Sequence, residues 1–282
     1  MNSTFLISVI LFVIFFFSDI NHATEKLEFG YVGEIGPRFW HLLSNESIIC
    51  DTGKKQSPID ITSDDLKTLA EPPSPKFNDA CEVELIHNGN TVEISSGKEE
   101  VPLPAEITID GEKYQLLQFH FHTPSEHRIE GRHFDIEQHL VFKSESEKIS
   151  VVAVLYNAGE EDSAFMTPII DNLPKQPGNT TSIDKVKLAN LLKDIKGVTK
   201  AYTYSGSLTT PPCTEGVTWY VNKEPQKISF KQFSQLRETI GFNSRFTQLR
   251  EGINNPENES IGDVDTLKKK KRSLYGRGYF RK

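Results

Sequence analysis

Five of the chain's eight histidines fall between Gln118 and Val141. The stretch reads Gln-Phe-His-Phe-His at 118–122, Ser-Glu-His at 125–127 and Ile-Glu-Gln-His-Leu-Val at 136–141. Side chains alternate along a strand with a period of two, so His120 and His122 project to one face with Gln118. Leu117, Phe119 and Phe121 are then expected to turn the other way, into apolar packing. After a turn region at 127–134 containing Gly131, a second strand would carry His139 on one face with Glu137 and Val141. Antiparallel pairing of the two strands brings three imidazoles to one point. Three protein ligands, with a fourth position left for water, make a catalytic zinc site. Gln118 and Glu137 have the parity to accept hydrogen bonds from the ligands' other ring N–H groups, which would orient the rings. A His-x-His pair alone reads more readily as two polar residues on a solvated strand face. The interleaved aromatics, the third histidine and its acidic neighbour favour the metal.

The rest of the chain must build a scaffold that holds two such strands side by side. Its 282 residues, 37% hydrophobic and 25% charged, suit one large domain with its own core. No internal repeat is visible, and Gly and Pro are scattered throughout, which fits strands joined by turns. Residues 83–94 and 106–123 alternate apolar and polar around Asn88-Gly89-Asn90 and Asp110-Gly111, the pattern of hairpins. Residues 149–156 form a continuous apolar run, which predicts a central buried strand. Helices are predicted over 164–173, 188–192 and 229–240, the last capped by Ser229 and stopped by Gly241. Pro72-Pro73-Ser74-Pro75 and residues 174–181 read as loops.

With its flanking motifs the stretch resembles the metal site of alpha-class carbonic anhydrases, in their exported eukaryotic form. The resemblance runs over about residues 27 to 253 on motifs in the same order. They are Phe29-Gly30-Tyr31, Gly36-Pro37-Arg38-Phe39-Trp40, Gln56-Ser57-Pro58-Ile59-Asp60-Ile61, Ser207-Leu208-Thr209-Thr210-Pro211-Pro212-Cys213, Val217-Thr218-Trp219 and Asn243-Ser244-Arg245. It implies a mainly β fold with short surface helices around a large, mostly antiparallel twisted central sheet. It also implies reversible hydration of carbon dioxide to bicarbonate and a proton, with Zn2+ held by His120, His122 and His139.

By the same resemblance, Thr209 and Glu126 form the catalytic pair, and Gln118, Glu137 and Asn243 support the ligands from behind. Val141, Val154, Leu208, Thr210 and Trp219 would line the substrate pocket. Three neutral imidazoles leave the metal nearly its full charge, which lowers the pKa of bound water toward neutrality, carbonic anhydrases being the standing example. A nucleophile beside a dry wall suits a small uncharged electrophile such as carbon dioxide. Thr209 has one hydroxyl proton; given to an ionised Glu126, it leaves only acceptor sites toward the metal.

One departure bears on rate. Fast members of the family place a histidine after an Asn-Gly pair to pass the proton to buffer. Here that position is Asn90, and an amide cannot titrate. The expectation is an enzyme slow in proton transfer and dependent on external buffer. His87 has the wrong parity to stand in. Phe29 stands where tryptophan is common, and Phe246 and Leu249 where prolines are. The rival reading is a non-catalytic relative acting as a surface or binding protein; the intact ligand set and the Thr209 and Glu126 pair weigh against it. Of the other histidines, His127 is expected to be structural beside Glu126, and His41 and His133 exposed.

The termini and cysteines point outside the cell. Phe5 to Phe17 is an apolar run too short to span a membrane comfortably, followed by Ala23, so residues 1–23 read as a secretory signal peptide. The domain is placed at 24–260. Residues 261–282 read as a basic, disordered tail, whose stretch from Lys268 onward holds Lys268–Lys271, Arg272, Arg277, Arg281 and Lys282 with no acid among them. Removing those eight from the 32 basic residues leaves 24 against 39 acidic ones, so the rest of the chain is acidic and no nucleic-acid partner is expected. The tail itself reads as solvated, with a weak attraction to anionic surfaces, and Lys271-Arg272 as a candidate dibasic cleavage site. The resemblance pairs Cys50 with Cys213 in a disulfide, which leaves Cys81 as an odd, inert thiol. Asn45, Asn179 and Asn258 open glycosylation sequons.

Overall fold

Apolar–polar alternation becomes strand almost everywhere it occurs. The computed structural model describes residues 27–62, 73–98, 101–194 and 200–249. The predicted signal peptide, His22, Asn258, the basic tail with Lys271-Arg272 and both outer domain bounds lie outside the described residues, as does the Cys81 side chain. The strands are β1 (Asp60–Ile61), β2 (Ser74–Phe77), β3 (Ala80–His87), β4 (Val92–Ser95), β5 (Ala105–Ile109), β6 (Glu112–His122) and β7 (Arg128–Ile129). They continue with β8 (Ile136–Ser144), β9 (Ile149–Gly159), β10 (Thr180–Val186), β11 (Ala201–Ser207), β12 (Glu215–Asn222) and β13 (Gln226–Ser229). The helices are α1 (Ile49–Thr52), α2 (Thr167–Ile170), α3 (Leu188–Asp194) and α4 (Phe230–Ile240), with short 3-10 turns before α1.

Eleven strands form one sheet whose main path runs β10-β3-β4-β6-β8-β9-β12-β11. Pairing is antiparallel except where β12 and β13 lie parallel to β9. β9, the continuous apolar run, is interior to the sheet. The hairpins form at their turn residues. At Asp110-Gly111 both residues have positive φ (49° and 81°), the two-residue turn that matches strand twist. At 88–91 the Asn88 side chain accepts from the Asn90 and Thr91 N–H groups and Gly89 takes φ 97°. α4 carries a full capping box between Ser229 and Gln232 and ends at Gly241 with φ 66°.

Three local expectations shift. The helix foreseen over 164–173 shrinks to α2, because Pro168 fits only its first turn and the chain leaves it through i→i+3 bonds, Asn172 to Ile169 and Leu173 to Ile170. Ser74 and Pro75 are not loop but open β2, which pairs only with β5, an edge position where a missing proline N–H costs no ladder bond. Thr180 and Thr181 likewise begin the edge strand β10. Among the described residues no helix is long and apolar enough to cross a membrane.

The sheet separates two cores. Leu116, Phe119, Phe121, Ile136, Leu140, Phe142, Val152 and Val154 pack into the larger one. On the opposite face Val151, Ala153, Leu155, Val217, Trp219 and Val221 form a second cluster, against which Val141 and Leu208 pack. The chain at 29–50 adds a third around Trp40 and the two bonded cysteines.

Candidate metal centre

The metal face of β6 exists because of an irregularity. Register against β8 slips between Leu116 and Gln118, so one extra residue, Leu117, is accommodated there. Tyr114 and Leu116 therefore face the same core as Phe119 and Phe121, and Leu117 is left half-buried. The expectation that Leu117 joins Phe119 and Phe121 in the core is corrected: Leu116 takes that place. Below the bulge the alternation is regular, and Gln118, His120 and His122 lie opposite Val141, His139 and Glu137 of β8.

The three rings converge. Their centroids lie 5.0 Å apart for His120 and His122, 5.3 Å for His120 and His139, and 4.5 Å for His122 and His139. One ring nitrogen from each lies within 4.8 Å of the others. The remaining nitrogens are tied outward: His120 Nδ1 to Gln118 Oε1 (2.8 Å), His122 Nδ1 to the Asn243 carbonyl (2.8 Å) and His139 Nε2 to Glu137 Oε1 (2.7 Å). Each of those acceptors needs a ring N–H, so the inward lone pairs are His120 Nε2, His122 Nε2 and His139 Nδ1.

A donor chain behind His139 confirms its tautomer. Glu137 also takes His127 Nδ1–H (2.6 Å) and the His127 backbone N–H (2.7 Å). His127 Nε2 is then an acceptor for the Tyr204 hydroxyl at 2.7 Å, and Tyr204 accepts from Ser57 Oγ at 2.8 Å. The structural partner of His127 is thus Glu137, not its neighbour Glu126. Burial would raise the Glu137 carboxyl, yet the His127 and His139 rings hold it well below the usual carboxylate range. Burial, with the neighbouring imidazoles, pushes His120 well below 6.5 and His122 below it, so both rings are held neutral, the form a metal requires.

Orphaned atoms test whether a cation fits. His122 Nε2 and Glu126 Oε2 are buried with no hydrogen-bond partner and lie 3.6 Å apart, and the same Oε2 is 4.0 Å from His139 Nδ1. Three imidazole nitrogens converging on one point, with a carboxylate charge beside them, suit a divalent ion, zinc above all. Glu126 Oε1 accepts the Arg245 N–H at 2.8 Å. Oε2 takes no bond from Thr209, so the sequence-derived pair is not closed by a hydrogen bond in this structure, although Thr209 is 5% exposed.

The loop carrying Thr209 is held from a distance. Ser57 and Ser207 exchange backbone-to-hydroxyl bonds of 2.9 and 3.0 Å, and Trp219 Nε1 donates to the Ser207 carbonyl at 3.0 Å. The Cys50–Cys213 disulfide, 163 residues apart in sequence, closes the far side. Arg245, 1% exposed, donates to Gln56, Ser57 and the Cys50 carbonyl and lies over the Trp40 ring; its burial lowers its pKa to about 10.

Trp219 lies 4.9 Å from His139, ring to ring, and shares its cluster with Val141 and Leu208; Thr210 is half-buried in the same loop. Val154 is a correction. It stands opposite Gln138 on the far face of β8 and packs in the larger core. Its place beside the metal ligands belongs to Val151, the cross-strand partner of Val141, and the period of two along β9 would have found it. Asn90 donates from Nδ2 to the Phe29 carbonyl (3.0 Å), and its own carbonyl accepts from Asn243 Nδ2 (2.9 Å). His87 points away, with Nε2 on the Thr239 carbonyl. His133 is exposed, while His41 is half-buried.

Residues 35–256 match the family described as eukaryotic-type carbonic anhydrase. A carbonic anhydrase of Neisseria gonorrhoeae is 35% identical over 84% of this chain and 89% of its own length. The alpha-carbonic anhydrase of Thermovibrio ammonificans, solved with the inhibitor sulfanilamide, superposes with a TM-score of 0.72 at 36% identity over 80% of this chain and 97% of its own. The alpha carbonic anhydrase of Aspergillus oryzae gives 0.75 at 30% identity over 84% and 100%.

Proposed function

The chain belongs to the eukaryotic-type carbonic anhydrase family, and on that premise we propose that it is an exported, zinc-dependent enzyme of carbon dioxide hydration limited by proton transfer. Zinc would be held by His120 Nε2, His122 Nε2 and His139 Nδ1. When bound, it supplies the positive charge that makes a water molecule nucleophilic near neutral pH, the effect for which carbonic anhydrases are the standing example. The observation that carries the reading is the tautomer set: each ring's outer nitrogen is spent on a protein acceptor, and the inner ones converge on one point.

The chain's own residues do the rest. Glu137, backed by His127 and Tyr204, holds the His139 ring. Thr209, with Glu126 beside the metal-facing nitrogens, would orient the attacking oxygen by giving its only hydroxyl proton to the carboxylate. Val141, Val151, Leu208 and Trp219 give a dry wall suited to carbon dioxide, which has no charge to solvate. Asn90 neither titrates nor hangs free, because its amide holds the Phe29 segment. The proton would therefore leave directly to external buffer. The disulfide supports export through an oxidising compartment, in which the glycan sequons would also be used.

Stopped-flow hydration of carbon dioxide on metal-analysed protein tests the reading. One zinc per chain, activity lost to a chelator and regained with zinc, and inhibition by sulfanilamide are expected. Full zinc occupancy without hydration would instead favour the non-catalytic binding relative.

A further inference from the structure

Residues 37–52 form a series of short helical turns that leave apolar side chains in water. Leu42 is 64% exposed, Ile48 49% and Phe39 39%. Phe39 and Leu42 stand three apart in the 3-10 helix Pro37–Leu42, so their side chains eclipse. Asn45 and Ile48 stand three apart in the next turn, closed by a bond from the Ile48 N–H to the Asn45 carbonyl. Three exposed apolar side chains within ten residues of successive turns leave an apolar surface that calls for a cover. Asn45 lies between Leu42 and Ile48 in the chain, exposed, at a helix-entry position where its side chain makes no capping bond. It opens the sequon Asn45-Glu46-Ser47.

We propose that Asn45 carries an N-linked glycan whose first sugars cover the strip formed by Phe39, Leu42 and Ile48. The inference rests on the export proposed above. In the transfer, Asn45 Nδ2 attacks the anomeric carbon of a lipid-pyrophosphate-linked oligosaccharide. The N–C bond forms, the C–O bond to the pyrophosphate breaks, the lipid pyrophosphate leaves and the amide gives one proton to solvent. Ser47, the sequon's hydroxyl residue, is fully buried and bonded to Ser44 Oγ at 3.0 Å. Transfer must therefore precede the closing of this turn, during synthesis. Asn179 is the internal contrast: it is exposed too, but among Lys175, Gln176 and Thr180, which are polar and exposed. A glycan there has nothing apolar to hide.

The full chain, secreted from a eukaryotic cell, is mapped for glycopeptides before and after enzymatic removal of N-glycans. A sugar at Asn45 is expected. The stripped protein, and separately Asn45→Gln, should self-associate about tenfold more tightly than the glycosylated form, with hydration of carbon dioxide unchanged. Asn179→Gln should show no such effect. Adding Leu42→Ser and Ile48→Ser to Asn45→Gln should restore the monomer. Secreted protein bare at Asn45 but glycosylated at Asn179 overturns this inference alone, as does an occupied Asn45 whose removal leaves association unchanged. Protein bare at both positions and retained inside the cell overturns the export reading and this inference with it.

Discussion

The imidazole trio and the Thr209 loop sit side by side but are built in opposite ways. The trio comes from two paired strands, β6 and β8, with His120 directly opposite His139, and two of its three outward bonds go to a residue two positions along the same strand. The loop at 207–213 is assembled from afar, by Ser57 at 150 residues' separation and by Cys50 at 163. Strand alternation and register enforce the first; a few long-range bonds enforce the second. Holding the metal and orienting the reacting oxygen are therefore separable, so that damage to one need not reach the other.

The largest effect should come from the trio. His122→Ala removes a buried ligand, and zinc content and hydration should fall together, hydration by more than about a thousandfold. Zinc retained at full occupancy in this variant would show that the strand-borne trio is not what holds the metal. Thr209→Val should cut kcat/KM by roughly 10²–10³ while one zinc per chain remains. Loss of zinc from it would show that the loop is part of the metal cage after all.

Acid offers a probe of the trio without its ion. His120 and His122 are held neutral by burial, with folded pKa values lowered from 6.5, so their contribution to stability is present above pH 6.5 and lost as pH falls below it. Glu137, held well below 4.5, acts in the same direction at lower pH: its contribution is present above 4.5 and fades as pH falls toward its folded value. The Tm of zinc-free protein should therefore drop as pH falls from 6.5 toward 4.5, and zinc should delay the drop. A flat profile for the zinc-free protein would mean that the rings are not buried neutral.

Much of this arrangement was legible in the chain, for reasons that track the distance between partners. His120, His122 and His139 could be placed by parity alone, because the strand period acts over two residues. The same parity misplaced Leu117, since a bulge one residue before Gln118 resets the count, and only the doubled Leu116-Leu117 hints at it. The resemblance puts Val154 in the pocket without that count; parity, with Val151 and Ala153 on one face of β9, puts Val154 on the other. The hydrogen bond from His122 to the Asn243 carbonyl, 121 residues away, and the Arg245 hub have no local signature. They arise from tertiary closure.

The smallest expected effect lies at the rim of the cleft. Asn90→His should raise turnover several-fold in dilute buffer and leave it unchanged in concentrated buffer, where external base already takes the proton. Because the Asn90 amide also holds the Phe29 carbonyl, Asn90→Asp serves as the packing control. Equal behaviour of wild type and Asn90→His in dilute buffer would remove proton transfer as the slow step.

X-ray absorption at the zinc edge of the loaded protein reads the centre most directly. Three imidazole nitrogens and one oxygen at about 2.0–2.1 Å, with one zinc per chain, is the predicted result. Fewer than three imidazoles, or a sulfur in the shell, would contradict the account.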